Sequence, residues 1–297
     1  MDYTLAHGTA NDFVVLADLD DRQPLSAELA RALCDRRRGL GADGVLRLGP
    51  GDGGSRVFMD HRNADGSTAE MCGNGVRVVA KYLVDRDLAP LDERGVLLIG
   101  TRGGIKPVTV HRGPDGLVQE VAVDMGPPVL APAEVPFEAD DPDALLHEVE
   151  LDGTTVTLSV VSMGNPHGVL TVDDVATASV EDLGPRLETH RRFPAKANIG
   201  FAELVDHSRI RLRVWERGVG ETAACGTGAC AAVVALQRRG LLDDEVVVDL
   251  PGGTLRIAHV TGGTVMMSGP AVEIASGRLD PHWLAAITGT PTPSATR

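Results

Sequence analysis

Short β-branched runs punctuate the chain: "FVVLAD" from Phe13, "GVLLIGT" from Gly95, "VTLSVVS" from Val156 and "EVVVDL" from Glu245, with Gly and Pro signals between them. Such runs predict strands. Two stretches follow a different period. After Cys72, the residues Val76, Val79, Ala80 and Leu83 recur at helical spacing and predict a helix with one apolar face. After Cys225, "TGACAAVVALQRRG" is Ala and Val on nearly every side, which predicts a helix buried all round. Arg238 and Arg239, followed by Gly240, supply its end: cations in the last turn and glycine beyond. Between them, the Pro-rich and acidic "GPPVLAPAEVPFEADDPDAL" at 126–145 reads as an exposed connection.

The pattern also repeats. "EMCGNGVRVVAKYL" at 70–83 has a counterpart in "AACGTGACAAVVAL" at 223–236, with the cysteines 153 residues apart. Upstream, Asn11 in "ANDFVVL" matches Asn165 in "GNPHGVL" at a separation of 154, and downstream the Gly-Gly of "TRGGIKPVTV" precedes that of "LPGGTLRIAHV" by 149. One such match is what Gly-rich turns and Val runs give in any α/β chain; three, collinear and nearly equally spaced, predict two homologous halves. The first runs to about residue 118 and the second from 119 to about 270. Each reads as a sheet folded around a central helix whose start carries a cysteine.

At 297 residues the chain is long enough for about two domains with proper cores. Aromatic residues are only 3%, so those cores must be built from Val, Leu, Ile and Ala. A net charge of −14 argues against nucleic acid and anionic membrane surfaces as partners. No apolar run is long enough to span a membrane, and "MDYTLAHGTANDF" lacks the pattern of a signal peptide, so a soluble cytoplasmic protein is expected. Four scattered cysteines, Cys34, Cys72, Cys225 and Cys230, do not form a disulfide framework and are expected as reduced thiols.

Cys34 and Cys230 fit plain packing, since free cysteine behaves as a small buried hydrophobe. Cys72 and Cys225 differ: both precede a glycine turn at equivalent points of the repeat. A thiol at a helix start meets unpaired N–H groups and the positive end of the helix dipole, which favour its thiolate. Glycines 73, 75, 226 and 228 would let a ligand approach the backbone, and the same N–H groups could hold a carboxylate. Neither cysteine has a second ligand at zinc spacing, so no metal is expected. A thioredoxin-like pair would need both thiols in one short loop. Two homologous halves facing one cleft would set one thiol on each side of a bound molecule, an arrangement suited to inverting an α-carbon by a base on one face and an acid on the other. No Rossmann or P-loop fingerprint is present, and no organic cofactor is expected.

The motifs "ANDFVVLAD", "RRRGLGADGVL", "NADGSTAEMCGNGVR", "GNPHGVL", "ANIGF", "WERGVGETAACGTGAC" and "MSGPA" run over essentially the whole chain, and in this order they resemble the diaminopimelate epimerase family. The resemblance implies a pyridoxal-phosphate-independent epimerase acting on LL- and meso-diaminopimelate. Its fold would be two pseudo-symmetric α/β (α+β) domains, 1–118 with the tail 271–297 returning to it, and 119–270, with the active-site cleft between them. It further implies Cys72 and Cys225 as acid/base thiols, with Gly73, Asn74, Gly226 and Thr227 cradling the reacting carboxylate. Asn63, Asn165, Asn198 and Arg217 would hold the distal carboxylate, and a forked guanidinium suits that task. Glu216 would bind the distal ammonium. Asn11 and His167 match positions beside the reacting centre, although His167 equally suits a structural, hydrogen-bonded histidine. Some members carry Gln where this chain has Gly44, so any contact from that side chain is absent.

Other readings remain open from sequence. Proline racemases and hydroxyproline epimerases share the paired cysteines but lack a distal clamp, phenazine-type isomerases of this fold lack the thiol pair, and an amino-acid-binding protein could use the clamp without chemistry. A homodimer is expected by family analogy only, and a Cys72–Cys225 disulfide is a conceivable redox switch.

Overall fold

The computed structural model describes residues 1–289. Among them are seventeen strands and five helices, divided between two compact units. The first unit comprises Met1–Val123 and the segment from Pro270 on, and the second Asp124–Gly269. The tail expected to rejoin the first half extends to 297, and its last residues, 290–297, lie outside the described part.

The first unit carries β1 (Asp2–Gly8), β2 (Asn11–Ala17), α1 (Ala27–Cys34), β3 (Gly44–Pro50), β4 (Val57–Asn63), α2 (Gly73–Asp85), β5 (Val96–Thr101), β6 (Gly104–Arg112) and β7 (Val118–Asp124). The second carries β8 (His147–Leu151), β9 (Thr154–Ser162), β10 (Pro166–Val172), α3 (Val180–Glu188), β11 (Asn198–Asp206), β12 (Arg209–Glu216), β13 (Gly220–Thr222), α4 (Gly226–Arg238), β14 (Glu245–Leu250), β15 (Gly253–His259) and β16 (Val265–Pro270). β17 (Val272–Arg278) and α5 (Pro281–Thr288) belong to the first unit.

The sheet of the first unit has the order β17-β1-β2-β3-β4-β5-β6-β7, and its successive pairs run antiparallel, antiparallel, parallel, antiparallel, parallel, antiparallel and antiparallel. The second unit, in the order β8-β9-β10-β11-β12-β14-β15-β16, gives the same series. The repeat in the sequence is thus a repeat of topology. One difference stands out: the outermost strand of the first sheet, β17, comes from the end of the chain, whereas its counterpart β8 precedes the rest of its sheet. Within its own unit, α2 packs against β1 to β6 and β17, and α4 against β9, β10, β11 and β15, so each sheet is built around one helix.

All four strands read from the β-branched runs are present, as β2, β5, β9 and β14. The helix α4 is buried on nearly every side, from Gly228 through Leu236. It ends at Arg238, and Gly240 adopts the left-handed conformation (φ 71°) that a side chain would oppose. In the helix α2 burial extends beyond the face of Val76, Val79, Ala80 and Leu83: Arg77 and Val78 are as buried as Val76 and Val79. The sheet encloses the helix, and a charged residue is carried inside because its guanidinium finds neutral oxygen acceptors there. The connection at 126–145 is a correction. It has no regular secondary structure, yet Val135 and Phe137 are buried in the core of the second unit, where Phe137 meets Phe193 with ring centroids 4.8 Å apart. The Arg192 guanidinium lies over the Phe137 ring, 4.8 Å from its centroid, and Arg192 donates to the Glu138 carbonyl, which pins an acidic, Pro-rich segment to the domain.

Candidate active site

In the first unit, Cys72 is the N-cap residue of α2. Its backbone is extended (φ −143°, ψ 112°), and its sulfur accepts the Gly75 N–H at 3.4 Å. The thiol donates to Asn11 Oδ1 at 3.8 Å, and the same oxygen accepts the Asn74 amide at 3.2 Å. Asn11 opens β2 directly after a two-residue turn, Thr9-Ala10, in which neither residue is glycine and both have positive φ (52° and 60°). Such a turn costs on the order of 1 kcal/mol per residue and is held here from outside. The Thr9 hydroxyl accepts from Arg77 Nη2 at 3.0 Å and donates to Asn74 Oδ1 at 3.5 Å. A third support is Asp43, whose Oδ2 accepts the Asn11 amide at 2.9 Å. Asp43 is itself gripped by Arg36, which also makes a bidentate pair with Asp12 at 2.9 Å for each bond.

The structure therefore brings Asn11, Cys72 and Asn74 into one hydrogen-bonded group, with Gly73 as the first helical residue. Asn63 lies outside that group. It ends β4, and its amide donates to the Ser67 hydroxyl at 3.0 Å.

In the second unit, Cys225 is the N-cap residue of α4, again extended (φ −113°, ψ 108°), with Gly226 as the first helical residue. Its sulfur is 3.5 Å from the Thr227 hydroxyl. Burial pushes the Cys225 thiol pKa well above its ordinary value, and the negative charge of Glu216 adds to the effect; Thr227 and the Gly228 N–H pull the other way without prevailing. Glu216 also accepts the Thr222 hydroxyl. Asn165, His167, Asn198 and Arg217 form a second chain of contacts. His167 Nε2 lies 3.0 Å from Asn165 Oδ1 and 3.5 Å from Asn198 Nδ2. Asn198 Oδ1 in turn accepts the Arg217 backbone N–H at 2.8 Å, while the Arg217 guanidinium is exposed and donates to the Ala195 carbonyl at 3.1 Å.

His167 is only 1% exposed. Burial first, and the nearby Arg217 charge second, lower its pKa to about 3, so it is a neutral ring rather than a proton carrier, and as an N–H its Nε2 donates to Asn165 Oδ1, the shorter of the two contacts. Asn198 pairs with His167 in the parallel register of β10 and β11, which is why residues 31 apart in sequence meet.

Two of the four glycines have a packing reason as well. A Cβ on Gly75 would come within 3.2 Å of a Leu46 methyl and 3.6 Å of Cys72 Cβ, and one on Gly228 within 3.0 Å of a Val214 methyl and 3.2 Å of Cys225 Sγ. These two positions seat the sulfur and the packing beneath it.

Several contributors escaped the sequence reading. Asp12, Arg36 and Asp43 orient Asn11, Arg77 and Thr9 hold the turn before it, and Thr222 meets Glu216. The available signal was weak: a charged side chain in the middle of the apolar α2, and an acid in "GADG" facing an arginine in "RRRG". Cys34 and Cys230 are buried, as packing thiols are. Among the described residues no group of three or more His, Cys, Asp or Glu is arranged to hold a metal ion, and no helix is long and apolar enough to cross a membrane.

The profile of the family described as Diaminopimelate epimerase matches residues 3–131 and 159–274. The chain is similar to the diaminopimelate epimerase of Pseudomonas aeruginosa, with 47% identity over 282 residues, 93% of this chain and 98% of that protein. With the diaminopimelate epimerase of Azotobacter vinelandii it shares 46% over the same length. Among solved structures, it is similar in fold to a probable proline racemase from Agrobacterium radiobacter (TM-score 0.70, 16% identity, covering 96% of this chain and 95% of that one). A hydroxyproline epimerase from Agrobacterium vitis follows, with TM-score 0.69, 15% identity and coverage of 93% and 91%. At such identities the two structures speak for the fold alone.

Proposed function

Since the chain belongs to the diaminopimelate epimerase family and is an isomerase, we propose that it interconverts LL- and meso-diaminopimelate by two-base proton transfer, with Cys72 and Cys225 as the two proton carriers. The observation that carries the assignment of the thiols is that each unit opens its central helix with a cysteine as N-cap residue.

The chemistry follows from that position. One thiolate takes the α-proton, and the electron pair left on carbon spreads into the α-carboxylate. The opposite thiol then gives its proton to the other face of the same carbon, so the centre inverts and the two cysteines exchange protonation states. Charge growing on the carboxylate is favoured at a helix N-terminus, where Gly73 and Asn74, or Gly226 and Thr227, present backbone N–H groups. The reading requires both units to present their cysteine to one α-carbon.

The two thiols begin unequal. Cys225, buried beside Glu216, enters as the protonated acid. Cys72, whose sulfur accepts the Gly75 N–H, holds its own proton toward Asn11 Oδ1 and takes the base's part once that proton is given up. Asn11, fixed by Asp43, and Asn74 bracket the reacting end. Asn63, Asn165, Asn198, Glu216 and Arg217 take the distal amino acid end, with His167 positioning Asn165.

Incubation with LL-diaminopimelate in deuterated water tests the reading. Deuterium is expected at the α-carbon together with formation of the meso isomer. Exchange into proline or hydroxyproline instead, or into no substrate, overturns it.

A further inference from the structure

The chemistry above makes no use of one buried polar side chain of the first unit. His61, on β4, is 5% exposed. It stands opposite Leu46 of β3 in the antiparallel register, and Leu46 is the residue that packs beneath Gly75 in the first turn of α2. Phe13, two residues after Asn11, meets the imidazole edge-on with ring centroids 5.6 Å apart. On the neighbouring strand, Gly44 pairs with Asn63, and a Cβ placed on Gly44 would lie 2.8 Å from His61 Nε2. The imidazole thus takes the room that a side chain at 44 would occupy. Its surroundings on the sheet are the strand positions next to Asn11 and Asn63, under the helix start that bears Cys72.

The ring is not satisfied there. His61 Nδ1 is buried and has no hydrogen-bond partner. Burial lowers the pKa to about 4, so the ring is neutral at pH 7 and offers one N–H donor. An apolar side chain of similar size would fill the same space against Phe13 without leaving a buried polar atom unpaired, and a group of that kind ordinarily finds a partner.

We propose that His61 is a substrate-positioning residue: with Nδ1 buried and unpaired, the neutral ring carries its proton on Nε2, the atom at the Gly44 position, and donates that N–H to a carboxylate oxygen of the bound diamino diacid. This inference rests on the epimerase reading. It adds a polar contact in the first unit, beside Asn11 and Asn63, that comes from the strand next to position 44.

Kinetics and stability together test it. In His61→Leu, KM for LL-diaminopimelate is expected to rise about tenfold while kcat falls by less than about threefold, the loss of one hydrogen bond to a charged group. The ligand-free variant is expected to melt at a higher temperature than the wild type, because a buried unpaired atom has been removed. His61→Ala loses the contact in the same way, and Gly44→Gln added to it brings an amide into the vacated space and is expected to recover most of the KM. In the wild-type protein labelled with 15N-histidine, substrate is expected to move the His61 ring-nitrogen resonances, which needs no variant to fold. An unchanged KM in His61→Leu, or ring resonances indifferent to saturating substrate, overturns the inference while the epimerase reading stands. Absence of turnover in the wild type overturns both.

Discussion

Asp43 sets the direction of Asn11: its carboxylate accepts the Asn11 amide at 2.9 Å, which turns the Asn11 carbonyl oxygen toward the Cys72 thiol. Asp43→Ala is expected to free that amide and lower kcat/KM about tenfold, the scale of one oriented hydrogen bond. The melting temperature should change little, because the Arg36–Asp43 pair it removes is about half exposed on both sides. Steady-state rates beside a thermal melt check both halves of the expectation.

Removing either thiol should end epimerisation without ending the fold. In Cys72→Ala and Cys225→Ala, turnover is expected to fall by at least about 10³-fold, the upper range for loss of a proton carrier. Circular dichroism should match the wild type. Near-normal turnover in either variant would remove the two-base proposal.

The alkaline limb of the pH profile should report Cys225. The Glu216 charge helps hold that thiol protonated, so its removal in Glu216→Gln lowers the Cys225 pKa. The acid is then lost at a lower pH, and the alkaline limb of kcat/KM is expected to move downward. Its position can be read even though Glu216→Gln also weakens substrate binding, since that changes the height of the curve.

Acid should destabilise the fold through two histidines. Unfolded, each takes a proton near pH 6.5; folded, His61 does so only at about 4 and His167 at about 3. Below pH 6.5 the unfolded chain holds more protons, so stability present at pH 7 is lost as the pH falls. At pH 5 the loss is about 2 kcal/mol for each ring. Urea titrations at pH 7 and pH 5 should show the difference shrinking in His61→Leu and again in His167→Gln; an equal difference in all three proteins would exclude these rings as its source.

Much of the site was legible because its logic is local. A cysteine before Gly-x-Gly and an apolar run announces an N-cap thiol, and its recurrence 153 residues later announces the second. The four β-branched runs became strands for the same reason: burial and β-propensity agreed. What escaped depends on distance in the sequence. Nothing near Asn11 says that Asp43 will hold it, because β2 and β3 lie side by side only once the sheet is formed. Val135 and Phe137 sit in a stretch whose prolines and acids outvote them, and only the ring of Phe193 reveals that they are core. Nothing around His61 in the sequence singles it out, because its surroundings depend on the missing side chain at Gly44 on the neighbouring strand.

The borrowed strand β17 has a consequence for how the protein is made. As the chain emerges from the ribosome, the amino-terminal unit is synthesised first yet lacks its outer strand until residue 278 has been added, whereas the second unit has every strand of its sheet by residue 270. The part encoded later is therefore the first that can close, and β1 waits with one side unpaired until Val272–Arg278 has followed the second unit out.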